Sequence, residues 1–228
     1  MAQVIVALLN VLEMGWEWRF FVQIPAVMRD SMARSVPGAF YESRKDIYFP
    51  ATASLGLKLR HGKGMLEAKM IEKVIPAGDA HGKVELWSKA LLDHAVTRRK
   101  DGQWQLLRNV SQALGIAPWP MRIVSKKLRR RTRFGEETLC SFQSYLDDNP
   151  SEPVLVEHYK SLSVEVEPLD TLLHTVRTTE IPPGAIVTGY PGLVADIAQR
   201  TLASQASAAT ALHSDDPRKN DAGRIKKK

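Results

Sequence analysis

Charged residues recur two or four positions apart in one extended stretch after another. In "GWEWRF" Glu17 and Arg19 are two apart. In "LGLKLR" Lys58 and Arg60 are, and in "MLEAKM" Glu67 and Lys69. "VELWSK" offers Glu85 and Lys89, "MRIVSKK" Arg122 and Lys126, and "SVEVE" Glu165 and Glu167. Side chains two apart on a strand share a face. The opposite faces are apolar, as in Leu57, Leu59, Leu66, Ala68 and Met70. Trp16, Trp18, Phe20 and Val22 likewise alternate with Glu17 and Arg19 and belong to a core. One such strand is an ordinary solvated face with Lys/Glu pairs. Six in succession predict a common lined space, because that many charges are tolerable inside a fold only where water and counter-charges meet them.

The rest of the chain fits a sheet built from hairpins. Strands are expected at Trp16–Ile24, at Lys45–Phe49, across "GLKLRHGKGMLEAKM" with its turn at His61–Gly64, and in the basic Met121–Phe134. An antiparallel partner follows at Glu136–Leu146 and another strand at His158–Glu167. Met28–Gly38 reads as irregular or weakly helical, Ile75–Gly82 as a loop, and "KVELWSKALLDHAV" as a strand passing into a helix. Trp104–Ile116 has helical spacing that stops at Gly115, "PWP" is a rigid corner, and Gly189–Leu202 is a helix begun after Pro191. Hairpins outnumber βαβ units, so the expected class is α+β, an antiparallel eight-stranded barrel flanked by a few helices. Residues 1–202 form that domain, and the Ala/Ser-rich then basic stretch 203–228 is expected to be a disordered tail.

Composition narrows the partners. A net charge of +7 over 228 residues favours polyanions: phosphates, nucleic acid or an acidic surface. A single cysteine, Cys140, excludes an intrachain disulfide and a thiolate cluster, and reads as a small buried residue. The six histidines lack metal-finger spacing. The apolar run Val4–Leu9 is too short to span a bilayer, so a soluble intracellular, cytoplasmic protein with no membrane partner is expected. Two readings stand for the run Lys126–Arg133: a nucleic-acid patch, or a strand end at the mouth of a tunnel. Asp46 and Tyr48 read as packing or loop hydrogen bonds.

In order, "EWRFF", "KDIYF", "LGLKLR", "MLEAKM", "VELWSK", the basic strand and "SVEVE" resemble the CYTH superfamily, the triphosphate tunnel metalloenzymes, over roughly residues 14 to 200. That resemblance implies an eight-stranded antiparallel tunnel and metal-dependent hydrolysis of tripolyphosphate or an organic triphosphate. It implies Glu17, Arg19 and Glu85 at the reacting centre, and Lys58, Arg60, Lys69, Lys89, Arg122 and Lys126 on the phosphates. Glu17, Glu165 and Glu167 would hold Mg²⁺ or Mn²⁺. The family's opening strand carries a further Glu, whose place falls on Gly15, and its Lys is Arg19 here. A non-catalytic module that binds polyphosphate on the same fold is the alternative, and a nucleic-acid-binding protein using the 126–133 patch is another.

Overall fold

A computed structural model describes residues 10–35, 42–60, 65–79, 81–92, 121–133, 135–146 and 151–214. Nine strands and three helices are placed among them. They are β1 (Asn10–Gln23), α1 (Ala26–Ser35), β2 (Glu42–Thr52), β3 (Leu55–Arg60), β4 (Met65–Gly78), β5 (Gly82–Leu92), β6 (Met121–Arg131), β7 (Gly135–Leu146), β8 (Leu155–Val164), α2 (Leu169–Thr178), β9 (Ile186–Val187) and α3 (Tyr190–Ser214). The order across the sheet is β5-β4-β3-β2-β6-β7-β8-β1-β9, and a β5–β1 pairing closes it. The result is a closed antiparallel barrel of eight strands, with β9 added at the outside of β1.

Closure rests on β1 serving two neighbours. Its first half, to Glu17, pairs with β5, and from Trp18 onward it pairs with β8. The hairpin read from sequence is in place, with Lys58 opposite Glu67 and Leu59 opposite Leu66, while its turn residues 61–64 lie outside the described residues. Pro50 lies within β2, opposite Gly56, and the register shifts just after it. A proline donates nothing to the ladder, so a strand carries it at such an irregularity. The segment Ile75–Gly82, expected as a loop, is mostly strand. β4 runs to Gly78, and Gly78 (φ 117) and Gly82 (φ 63) take the positive φ that the tight return to β5 requires. The helical part expected after β5, the expected helix 104–116 and the Pro118–Pro120 corner fall outside the described residues.

Two apolar layers hold the barrel. Outside, Trp18, Phe20, Val84 and Val164 pack under Leu172 and Val176 of α2. Sequence reading missed α2, a two-and-a-half-turn helix in a polar setting whose inner stripe is short; its buried apolar pair is Leu172 and Val176. Inside, Phe21, Ile123, Phe142 and Tyr159 meet Leu193, Val194, Ile197 and Ala198 of α3. Arg200 then fastens α3 to the wall, bonding Glu157 Oε2 at 2.8 Å and the Tyr159 hydroxyl at 3.0 Å. The helix continues to Ser214, past the Leu202 boundary expected for the domain. Its "ASQASAATA" stretch is rich in alanine, the strongest helix former. Residues 215–228 lie outside the described residues. No described helix is long and apolar enough to cross a membrane.

Candidate polyanion site

Strand alternation sends odd residues of β1 inward: Glu17, Arg19 and Phe21. From β3 it sends Lys58 and Arg60, from β4 Glu67 and Lys69, and from β2 Arg44, Asp46 and Tyr48. These walls surround a cavity of ≈ 360 Å³. Eight cationic side chains line it, Arg19, Arg44, Lys58, Arg60, Lys69, Lys89, Lys127 and Arg129, against five carboxylates, Glu13, Glu17, Glu67, Glu136 and Glu165. Tyr190 and Pro191, the first residues of α3, form its floor. Pro191 sits so close over Gly56 that a Cβ there would stand 2.7 Å from its Cγ.

The charges are cross-linked. Glu17 accepts from Arg19 Nε at 2.8 Å and from Lys69 Nζ at 2.5 Å. Burial alone would raise its pKa, but Lys69 and Arg19 hold it well below the usual carboxylate range. Glu67 pairs with Lys58 Nζ at 2.5 Å and Arg60 at 3.0 Å. Lys89 reaches Glu13 at 3.1 Å, and Arg129 pairs with Glu42 at 2.5 Å and with Glu136. Glu165 is about half exposed and lies 3.7 Å from Arg19 Nη2. Partial burial and the neighbouring Glu17 carboxylate push its pKa up.

At the floor, Lys127 is almost wholly enclosed. Its Nζ is 3.1 Å from Asp46 Oδ2 and 2.5 Å from the Tyr48 hydroxyl, and it stands 3.8 Å above the Tyr190 ring. Arg19 covers the same ring at 4.5 Å, and the Tyr190 hydroxyl touches Cys140 Sγ at 3.3 Å. Burial lowers the Lys127 pKa to about 7; Asp46 opposes the shift, while Arg44 and Lys58 add to it. An amine with that pKa exchanges a proton near neutrality, which an ordinary lysine does not.

The structure brings together Glu17, Arg19, Lys58, Arg60, Lys69, Lys89 and Glu165 from the sequence-derived set. Four others lie elsewhere. On β6 the inward phase is Met121, Ile123, Ser125, Lys127 and Arg129, so Arg122 and Lys126 point the other way. A one-residue slip in phase exchanges the faces of a whole strand. Arg122 lies over the Tyr145 ring, and Lys126 lines a neighbouring groove of ≈ 510 Å³ with Arg29 and Lys45, which shares Arg44, Arg60 and Lys127 with the cavity. Glu85 faces the inside opposite Glu17 but is shut off from the cavity. Lys83 pairs with it at 3.0 Å, and a Cβ on Gly189 would meet its Oε2 at 2.9 Å. Glu167 is outside the main cavity but lines a smaller recess with Gly15 and Trp16 that shares Glu13, Glu17, Lys89 and Glu165 with it.

Asp46 and Tyr48, read as packing or loop hydrogen bonds, both accept from Lys127 Nζ, and Tyr48 also lines the cavity. Lys127, Arg44 and Tyr190 were missed. The signal that could have found Lys127 was a buried carboxylate at Asp46, which requires a cation on the adjoining strand. In the basic run, Arg129 faces the cavity and Arg130 is paired with Glu137.

The carboxylates as arranged do not fit a divalent cation. Each oxygen of Glu17 is held by a cationic group and Gly15 supplies no ligand; Glu13, Glu17, Glu165 and Glu167 border one recess without converging on a common point. Among the described residues no three His, Cys, Asp or Glu side chains gather into a metal-holding group.

No protein-family model matches the chain, and no curated protein matches it. Solved structures do resemble it. A candidate adenylate cyclase from Bacillus halodurans aligns over 74% of this chain and 94% of its own, at 11% identity and TM-score 0.40. A conserved hypothetical protein from Pyrococcus furiosus aligns over 70% and 85%, at 12% identity and TM-score 0.43. A candidate adenylyl cyclase from Hippeastrum with a dominant triphosphatase activity aligns over 71% and 84%, at 10% identity and TM-score 0.37. Likenesses at this level assign no activity to the chain.

Proposed function

We propose that the chain is a divergent triphosphate tunnel protein that binds a triphosphate-bearing anion in this cavity and hydrolyses its terminal anhydride bond. One observation carries the reading: eight cationic side chains converge on an enclosed space large enough for a small ligand. The order of sequence motifs that resembles the tunnel family agrees with it. Phosphoryl transfer asks mainly for positioning and neutralised charge. Lys58, Arg60 and Lys69 on adjoining strands would grip the equatorial oxygens, and Arg19, pressed on Tyr190, would present its guanidinium edge to the innermost phosphate.

Hydrolysis also needs a proton acceptor. A water adds to the terminal phosphorus, its proton passes to the Lys127 amine, and the bond from phosphorus to the bridging oxygen breaks. Orthophosphate and the shortened phosphate chain leave. The Tyr48 hydroxyl and Asp46 keep Lys127 aimed at that position. The rate at low substrate should rise through about pH 7, where the free amine forms.

The test is orthophosphate release from tripolyphosphate by the wild type and by Lys127→Met. Release in the wild type, reduced on the order of a hundredfold in a folded variant, is expected for loss of a general base. Equal release by both proteins would remove Lys127 from the mechanism. No release from folded wild type would leave binding without turnover. The missing carboxylate at Gly15 favours that second reading.

A further inference from the structure

We infer that the tunnel takes its polyphosphate as the bare anion, with Arg19 and Lys69 standing where a divalent cation would otherwise bridge protein and phosphate. This rests on the polyphosphate reading above and concerns what accompanies the ligand.

Every carboxylate lining the cavity already has a cationic partner on the wall. Glu17 has Arg19 and Lys69, Glu67 has Lys58 and Arg60, Glu13 has Lys89, Glu136 has Arg129, and Glu165 has Arg19. A metal ion bound to Glu17 would have to displace an ammonium at 2.5 Å and a guanidinium at 2.8 Å. The Glu17 side chain is only 8% exposed and that of Arg19 only 4%, so in the free protein the displaced groups would give up their close partner in a poorly hydrated site. Breaking an enclosed ion pair in this way is strongly unfavourable.

The arrival of an anion breaks nothing. Lys69 also rests 4.5 Å above the Trp87 ring, and Arg19 lies over Tyr190 with its Nη1 on Ser161 Oγ at 3.3 Å, so both cations are fixed in the cavity wall before a ligand arrives. Even with Lys127 as the free amine, seven cations face five carboxylates there, so a multiply charged anion moves the balance toward neutrality without imported charge. The position where one more carboxylate would assist a metal is Gly15, and a Cβ built there meets nothing within 4 Å. Space for an acid exists, and the sequence does not use it.

The consequence is an inverted response to magnesium. Mg²⁺ complexes polyphosphate in solution and lowers its charge, so it competes with the wall for the ligand.

Calorimetric titration of tripolyphosphate into the full chain, in EDTA and then in excess Mg²⁺, tests this. Binding in EDTA, weakened several-fold by Mg²⁺, is expected. Lys69→Met should weaken binding in EDTA by roughly tenfold or more, the usual loss when one charge-assisted contact is removed. A parallel titration of wild type with Mn²⁺ alone is expected to show no site and does not depend on any variant folding. Binding that needs Mg²⁺, or a saturable Mn²⁺ site on the free protein, overturns the inference and leaves the polyphosphate reading intact. Absence of tripolyphosphate binding in both buffers overturns both.

Discussion

Lys127 makes a quantitative claim about stability. Its side chain is 1% exposed, and its pKa falls from 10.5 to about 7 on folding. Most lysines that gain a partner shift upward, so the sign here is reversed. Below about pH 7 the group is protonated in both states, and the folded protein bears the cost of an enclosed cation. Between about 7 and 10.5 the unfolded chain holds the proton more firmly than the folded one. Stability therefore rises with pH across that window and levels off above it. From pH 7 to pH 9 the two values give a gain of about 2 kcal/mol for this one group. For a chain of this size that is about 4–8 °C in Tm. Burial lowers the Lys58 pKa as well, which adds slope of the same sign, and the raised tyrosines titrate above this range. Comparison with Lys127→Met isolates the one contribution. Methionine keeps the unbranched shape with one heavy atom fewer, and Asp46 retains Arg44 at 3.1 Å. Thermal unfolding followed by circular dichroism at the two pH values should show a rise in Tm that is larger in wild type by that amount. Equal slopes in the two proteins would refute the assignment of a depressed pKa to Lys127.

Two substitutions probe the frame around it. A Cβ at Gly135 would lie 1.9 Å from the Ser163 carbonyl oxygen, so Gly135→Ala should force β7 and β8 apart and cost about 1–3 kcal/mol or more, read by denaturant unfolding. Tyr190→Ala removes the ring under Arg19 and Lys127 and admits water to the ammonium. The pH midpoint of phosphate release should then move up, and an unchanged midpoint would show that the ring does not control it.

Much of the barrel is legible in the sequence because hairpin strands advertise themselves through alternation. Glu17 and Arg19 against Trp18 and Phe20 fix the phase of β1 without help from the rest of the chain. β6 offers no such contrast. Arg122, Val124 and Lys126 alternate with Ile123, Ser125 and Lys127, each set mixing apolar and charged members, and only pairing with Asp46 on β2 selects the second. Glu85 has the right phase but the wrong surroundings. It is shut off by the segment ending at Gly189, a contact between residues a hundred positions apart that no local pattern encodes. Tyr190 was hidden for a similar reason. A helix start is visible at "GYPG", but that the helix enters the barrel follows from the apolar lower ring of Phe21, Ile123, Phe142 and Tyr159.

That helix gives the molecule a direction. Behind Tyr190 the interior is solid with Leu193, Val194, Ile197 and Ala198. Under the proposed function, a phosphate polymer entering from the mouth would meet the ring of Tyr190 and present a terminus there. If that terminus were hydrolysed as proposed, the released phosphate would leave on the side away from Tyr190, past the remainder of its own chain. On that reading the floor would act as a ruler, counting units from the end of the ligand inward. Shortening α3 by its first residues would change that count without altering a single charge on the wall.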